Sequence, residues 1–103
     1  MSLIRASSLS DLPENSSTEF FHGDHNIAIC RVGGEIYALD GICPHRGGPL
    51  AQGALHGNMI VCPWHAWEFD CTTGIHDHNP EIRQDQFAVT ISGDDILVEI
   101  PDA

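Results

Sequence analysis

Apolar residues in this chain recur at every second position over short runs, and the 3.6-residue period of an amphipathic helix is nearly absent. Side chains on a strand alternate between faces, so this pattern predicts half-buried β-strands. Candidate strands cover residues 2–6, 18–22, 26–32, 35–40, 59–62, 67–70, 86–92 and 96–100. Gly33-Gly34 and Gly93-Asp94 suit two-residue hairpins, and Asp24-His25 is a further candidate. Leu12-Pro13-Glu14-Asn15 breaks the first run as a loop or a single helical turn.

The middle of the chain differs from its flanks. From position 41 to about 80 it holds six of the ten glycines, four of the six prolines and five of the seven histidines. The expected fold is therefore all-β: an antiparallel β sandwich with a loop-rich segment inserted between its halves. At this length, residues 1–103 are expected to form a single domain.

Two short motifs stand inside that segment. Cys43-Pro44-His45 and Cys62-Pro63-Trp64-His65 each offer one thiolate and one imidazole, with 16 residues between the motifs. Such a set can hold a [2Fe–2S] cluster with both cysteines on one iron and both histidines on the other. Two thiolates cancel the charge of the oxidised iron–sulfide core, and neutral imidazoles add none. A neutral site accepts an electron more readily than an all-cysteine one, hence potentials of roughly −150 to +300 mV against about −400 mV for plant-type ferredoxins. Two Cys and two His are also a common structural zinc set. Zinc fingers usually pair Cys with Cys and His with His, whereas each motif here contains one of each. Gly47 and Gly48 follow the first pair, where small residues let backbone N–H groups approach sulfide.

The run Cys43-Pro44-His45-Arg46-Gly47-Gly48-Pro49-Leu50, then Cys62-Pro63-Trp64-His65-Ala66-Trp67-Glu68-Phe69-Asp70 and Thr73-Gly74, resembles the Rieske iron–sulfur family. Asp11-Leu12-Pro13-Glu14, Ile36-Tyr37-Ala38-Leu39 and the closing hairpin from Phe87 to Val98 extend the likeness over nearly the whole chain. The resemblance implies a Rieske-like sandwich whose inserted cluster-binding subdomain spans about 41–80. It also implies a Rieske-type [2Fe–2S] cluster, with Cys43 and Cys62 on the inner iron and His45 and His65 on the outer one.

Departures from the family pattern narrow the function. Respiratory Rieske proteins bridge their two cluster loops with a disulfide, and the matching positions here resemble Gly48 and Trp64. They also place Ser and Tyr hydroxyls against the cluster sulfurs, where this chain resembles Trp67 and Phe69. Losing those hydrogen bonds disfavours the reduced state, so a potential in the lower part of the Rieske range is expected. The loop of Cys62 to Trp67 is similar to that of ring-hydroxylating oxygenases. About 30 residues remain after the motif, which implies a carrier feeding such an oxygenase rather than the oxygenase itself. The resemblance thus implies a one-electron carrier, a non-catalytic component with no catalytic residues of its own, working between a ferredoxin reductase and a Rieske-type non-haem iron oxygenase component. The small subunit of an NAD(P)H-dependent nitrite reductase is the alternative.

Charge bears on the partners. Fifteen acidic residues face four basic ones, for a formal charge of −11. Nucleic acid and anionic membrane surfaces need Lys and Arg, so neither is expected as a partner. The charge suits either solubility or steering toward a basic protein surface. No stretch approaches the ~18–20 apolar residues of a membrane span, and no signal-peptide core is present, so a soluble cytoplasmic protein is expected. Among single residues, Pro44, Pro49, Leu50, Pro63 and Trp64 are candidates for loop packing or for an apolar docking rim. Cys30 reads as a small core residue, and a Cys30–Cys71 disulfide stays open. His76-Asp77-His78 reads as a polar turn with two solvated histidines. His22, His25 and His56 read as turn or edge residues.

Overall fold

The computed structural model describes residues 2–43, 47–64 and 67–101. Among them ten strands form three antiparallel sheets. The first joins β1 (Ser2–Ser8), β10 (Asp95–Ile100) and β9 (Val89–Ser92), in that order. The second runs β2 (Ser16–His22), β3 (His25–Val32), β4 (Glu35–Asp40) and β8 (Gln86–Phe87). The third comprises β5 (Leu55–His56), β6 (Met59–Val61) and β7 (Glu68–Asp70).

The second sheet is the middle layer. Ile27, Ile29 and Ala38 on one face pack with Ile96, Val98 and Ile100 of the first sheet. Ala28, Cys30 and Leu39 on the other face pack with Leu50, Ile60 and Phe69. Burial on both faces accounts for the unbroken apolar run Ile27-Ala28-Ile29-Cys30, where simple alternation gives way. The sequence expectation of a sandwich with an inserted segment holds, and the inserted segment contributes a small sheet of its own.

Turn chemistry fixes most of the registers. Val32 pairs with Glu35 around Gly33 and Gly34, both at positive φ, as a two-residue hairpin with right-handed strand twist requires. Ser92 pairs with Asp95 around Gly93-Asp94 as expected. The β2–β3 turn is Gly23-Asp24 rather than Asp24-His25, because His22 pairs directly with His25. A short 3-10 turn falls at Leu9–Asp11, just ahead of the expected break, and Leu12 then buries its side chain. The run 86–92 is two strands. Phe87 pairs with Ala38 of the middle sheet, whereas Val89 pairs with Val98 of the first, so the chain changes sheets at Ala88. Among the described residues, no helix is long and apolar enough to cross a membrane.

Candidate metal centre

Two loops carry the cluster motifs, and both are closed in the same way. In the first, the Cys43 amide donates to the Gly48 carbonyl at 2.9 Å, and the Gly47 amide donates back to Cys43 O at 2.8 Å. In the second, the Cys62 amide donates to Trp67 O at 2.7 Å. Each frame therefore begins at a cysteine and closes on the carbonyl five residues later. Pro44, His45, Arg46, His65 and Ala66 lie outside the described residues, so the expected histidine ligands are placed here by sequence alone.

The cysteine half of the site is well defined. Cys43 and Cys62 are each 1% exposed and share one core cluster. Their thiols are hydrogen-bonded to each other, and burial, chiefly, pushes the Cys62 thiol pKa up. Its Cys43 neighbour acts the same way, while a hydrogen bond from the Trp64 backbone opposes both. A buried thiol beside a second sulfur lacks water to support its charge, so a thiolate at Cys62 calls for a compensating cation. That chemistry fits an iron–sulfide core and equally any thiophilic cation. Among the described residues, no three side chains of metal-binding type converge. The Cys43–Cys62 pair is the part of the expected four-ligand set that the geometry displays.

Gly48 and Trp64 meet between the loops. A Cβ on Gly48 would lie 2.7 Å from Cys62 Sγ and 3.0 Å from Trp64 Cγ. The indole, half exposed, thus lies against Gly48 where the resemblance led us to expect no disulfide bridge. Gly48→Ala is expected to displace Cys62 or Trp64 and to lower iron and sulfide content per chain while the strands persist. Wild-type cluster content in that variant would contradict the contact.

Anchors beneath the first loop escaped the sequence reading. The Gln84 side chain is 6% exposed, and its amide donates to the carbonyls of Asp40 and Ile42, immediately before Cys43. Nothing in the polar run around Gln84 signals this role, because the partners are backbone atoms more than 40 residues away. Gln84→Leu removes the donor from two part-buried carbonyls and is expected to cost about 1–3 kcal/mol, read from denaturant unfolding. The exit of the loop is tied to β2: Ser17 Oγ donates to Ala51 O at 2.8 Å, and Gln52 Nε2 to Glu19 Oε1 at 2.7 Å.

Other expectations are corrected. Leu50 is fully buried in the core and so takes the packing role rather than the rim; among the described residues Ile42, Pro63 and Trp64 are exposed beside the loops. His76 is buried, and only His78 of the pair is solvated. Cys30 and Cys71 are both buried free thiols. A hydrogen bond to Cys71, with burial, pushes the Cys30 thiol pKa up, so it stays protonated.

The sequence matches the family described as Rieske [2Fe-2S] domain over residues 2–98. The chain is 32% identical over 101 residues to the ferredoxin component of biphenyl 2,3-dioxygenase from Rhodococcus jostii, covering 97% of this chain and 94% of that protein. Among solved structures, the ferredoxin of carbazole 1,9a-dioxygenase from Nocardioides aromaticivorans superimposes with a TM-score of 0.86 at 27% identity. That match covers 95% of this chain and 97% of the other. A chain in a complex of reduced oxygenase and oxidised ferredoxin of carbazole 1,9a-dioxygenase matches with a TM-score of 0.86 at 26% identity, covering 93% and 91%. The chain belongs to the Rieske [2Fe–2S] family, and its cofactor is a Rieske-type [2Fe–2S] cluster.

Proposed function

We propose that this chain is a one-electron carrier that takes electrons from a ferredoxin reductase and passes them to a Rieske-type non-haem iron oxygenase. The paired buried thiols of Cys43 and Cys62, framed by two loops of matching hydrogen bonding, carry this reading. Cys43 and Cys62 hold one iron and His45 and His65 the other, within a single domain of residues 1–103 whose cluster-binding part spans about 41–80. The cluster supplies reversible one-electron chemistry at raised potential. The protein excludes water from the thiolates, fixes the loops through Gly48 and Gln84, and presents Trp64 and Ile42 beside them as an apolar rim. The net charge of −11 steers the carrier toward basic partner surfaces in the cytoplasm.

The nitrite reductase alternative is the weaker reading, since a relative 32% identical over 94% of its length is a dioxygenase ferredoxin component. Stopped-flow mixing of the reduced protein with an oxidised Rieske oxygenase tests the proposal. Rapid cluster reoxidation that slows as salt rises is expected. Failure to reoxidise, with stable co-purification on a large sirohaem-containing chain, would favour the alternative. Redox titration is expected to give a midpoint in the lower part of the Rieske range, and a value well above about +100 mV would count against the absence of hydroxyl donors as its cause.

A further inference from the structure

Among the described histidines, His76 alone is buried, and the proposed function leaves it unused. It bridges Phe69 across an antiparallel contact, and its amide donates to Ile82 O at 2.9 Å. Its Nδ1 accepts the backbone N–H groups of both His78 and Asn79, each at 3.1 Å. A neutral imidazole has one N–H, so the proton sits on Nε2. Protonating Nδ1 would set donor against donor. The Asp77 carboxylate, 3.5 Å from Nδ1, therefore faces a lone pair rather than a cation.

The Nε2 edge faces inward. Among the described residues this nitrogen is buried without a hydrogen-bond partner. The ring stands edge-on to Trp67, with centroids 4.7 Å apart, and to Phe69 at 5.4 Å. Trp67 is the residue whose carbonyl closes the second cluster loop on the Cys62 amide. An apolar side chain at position 76 would avoid the orphaned N–H but would leave the 78 and 79 amides without their acceptor.

We infer that His76 is a positioning residue for the second cluster loop: a neutral imidazole, pinned through Nδ1 by the 78–79 turn, that sets the place of Trp67 and with it the closure of Trp67 O on the Cys62 amide. The inference rests on that loop binding the cluster. Its neighbour Asp77 reinforces the geometry, since the Asp77 amide donates to Glu68 O at 3.1 Å and ties the turn to β7.

Two measurements test it. Nitrogen NMR of histidine-labelled oxidised protein at neutral pH is expected to show His76 neutral, with Nδ1 as acceptor and the proton on Nε2. A cationic ring, or a proton on Nδ1, overturns the inference. This readout survives in protein that fails to bind a cluster, so it separates failure of the inference from failure of the cluster reading. His76→Asn keeps an acceptor near the Nδ1 position and removes the ring edge. It is expected to shift the midpoint potential and the g-values of the reduced cluster, with cluster content retained. Wild-type potential and g-values would show that His76 merely caps its own turn. The wild-type tautomer keeps the inference falsifiable if that variant does not fold.

Discussion

Cys62→Ala is expected to yield a colourless protein that has lost essentially all iron and acid-labile sulfide. The Cys62 sulfur is 1% exposed, hydrogen-bonded to the Cys43 thiol, and accepts a hydrogen bond from the Trp64 backbone. Without it, one thiolate would be left to balance a doubly charged oxidised core in a site closed to water, and an uncompensated buried charge is costly. The Trp64 amide would also lose its acceptor. The informative comparison is Cys71→Ala, which removes another fully buried sulfur from the same core. Cys71 hydrogen-bonds Cys30, so that variant is expected to keep its colour and to lose packing and the Cys30 contact alone. Iron analysis of the two variants side by side checks this. Full iron in Cys62→Ala, or its loss in Cys71→Ala, would refute the assignment.

Gly53→Ala is expected to be the most damaging glycine substitution. The backbone at Gly53 is extended, φ −83° and ψ 174°, and any residue adopts it. The constraint is contact. An alanine Cβ would lie 1.6 Å from the Val61 carbonyl oxygen and 2.8 Å from its carbon. Both are backbone atoms, so no side chain can swing aside. Gly53 closes the 3-10 turn Leu50–Gln52 that follows the first loop, and Val61 immediately precedes Cys62. Relieving the clash moves the two cysteine-bearing segments apart. A cost of about 3 kcal/mol or more is expected from this overpacking, a large share of a stability of roughly 5–15 kcal/mol. Gly57 is the control. It sits at φ +59° with nothing near its Cβ position, so Gly57→Ala costs about 1–2 kcal/mol from backbone strain. Thermal unfolding should therefore rank Gly53→Ala well below Gly57→Ala, and the reverse order would contradict the contact.

The strands of the flanks were legible because most cover one face, or two in the case of β3 and β4, and so write their burial into the spacing of apolar residues. Strand β5, Leu55–His56, is too short to show alternation. The division of 86–92 was hidden because both halves are apolar enough, and only the change of partner at Ala88 separates them. At the site, Cys43 and Cys62 share one buried cluster, whereas His45 and His65 lie outside the described residues. What sequence did not show was polar anchoring. Gln84 looks like a surface residue in a polar stretch, yet its side-chain amide meets backbone carbonyls more than 40 residues away. His76 looks the same, yet it is buried, with Nδ1 accepting from the 78–79 turn. Sequence left Leu50 open between loop packing and a docking rim, and the 3-10 turn it begins carries it into the core.

The claim at the centre of this account is that the two loops hold a mixed-ligand iron–sulfur cluster that carries single electrons. Visible absorption and electron paramagnetic resonance of the purified protein, before and after one-electron reduction, test it most directly. The account predicts a red-brown oxidised sample with two irons per chain, silent in resonance, that gives a rhombic signal on reduction. A colourless sample with one zinc per chain and no signal after reduction would contradict it.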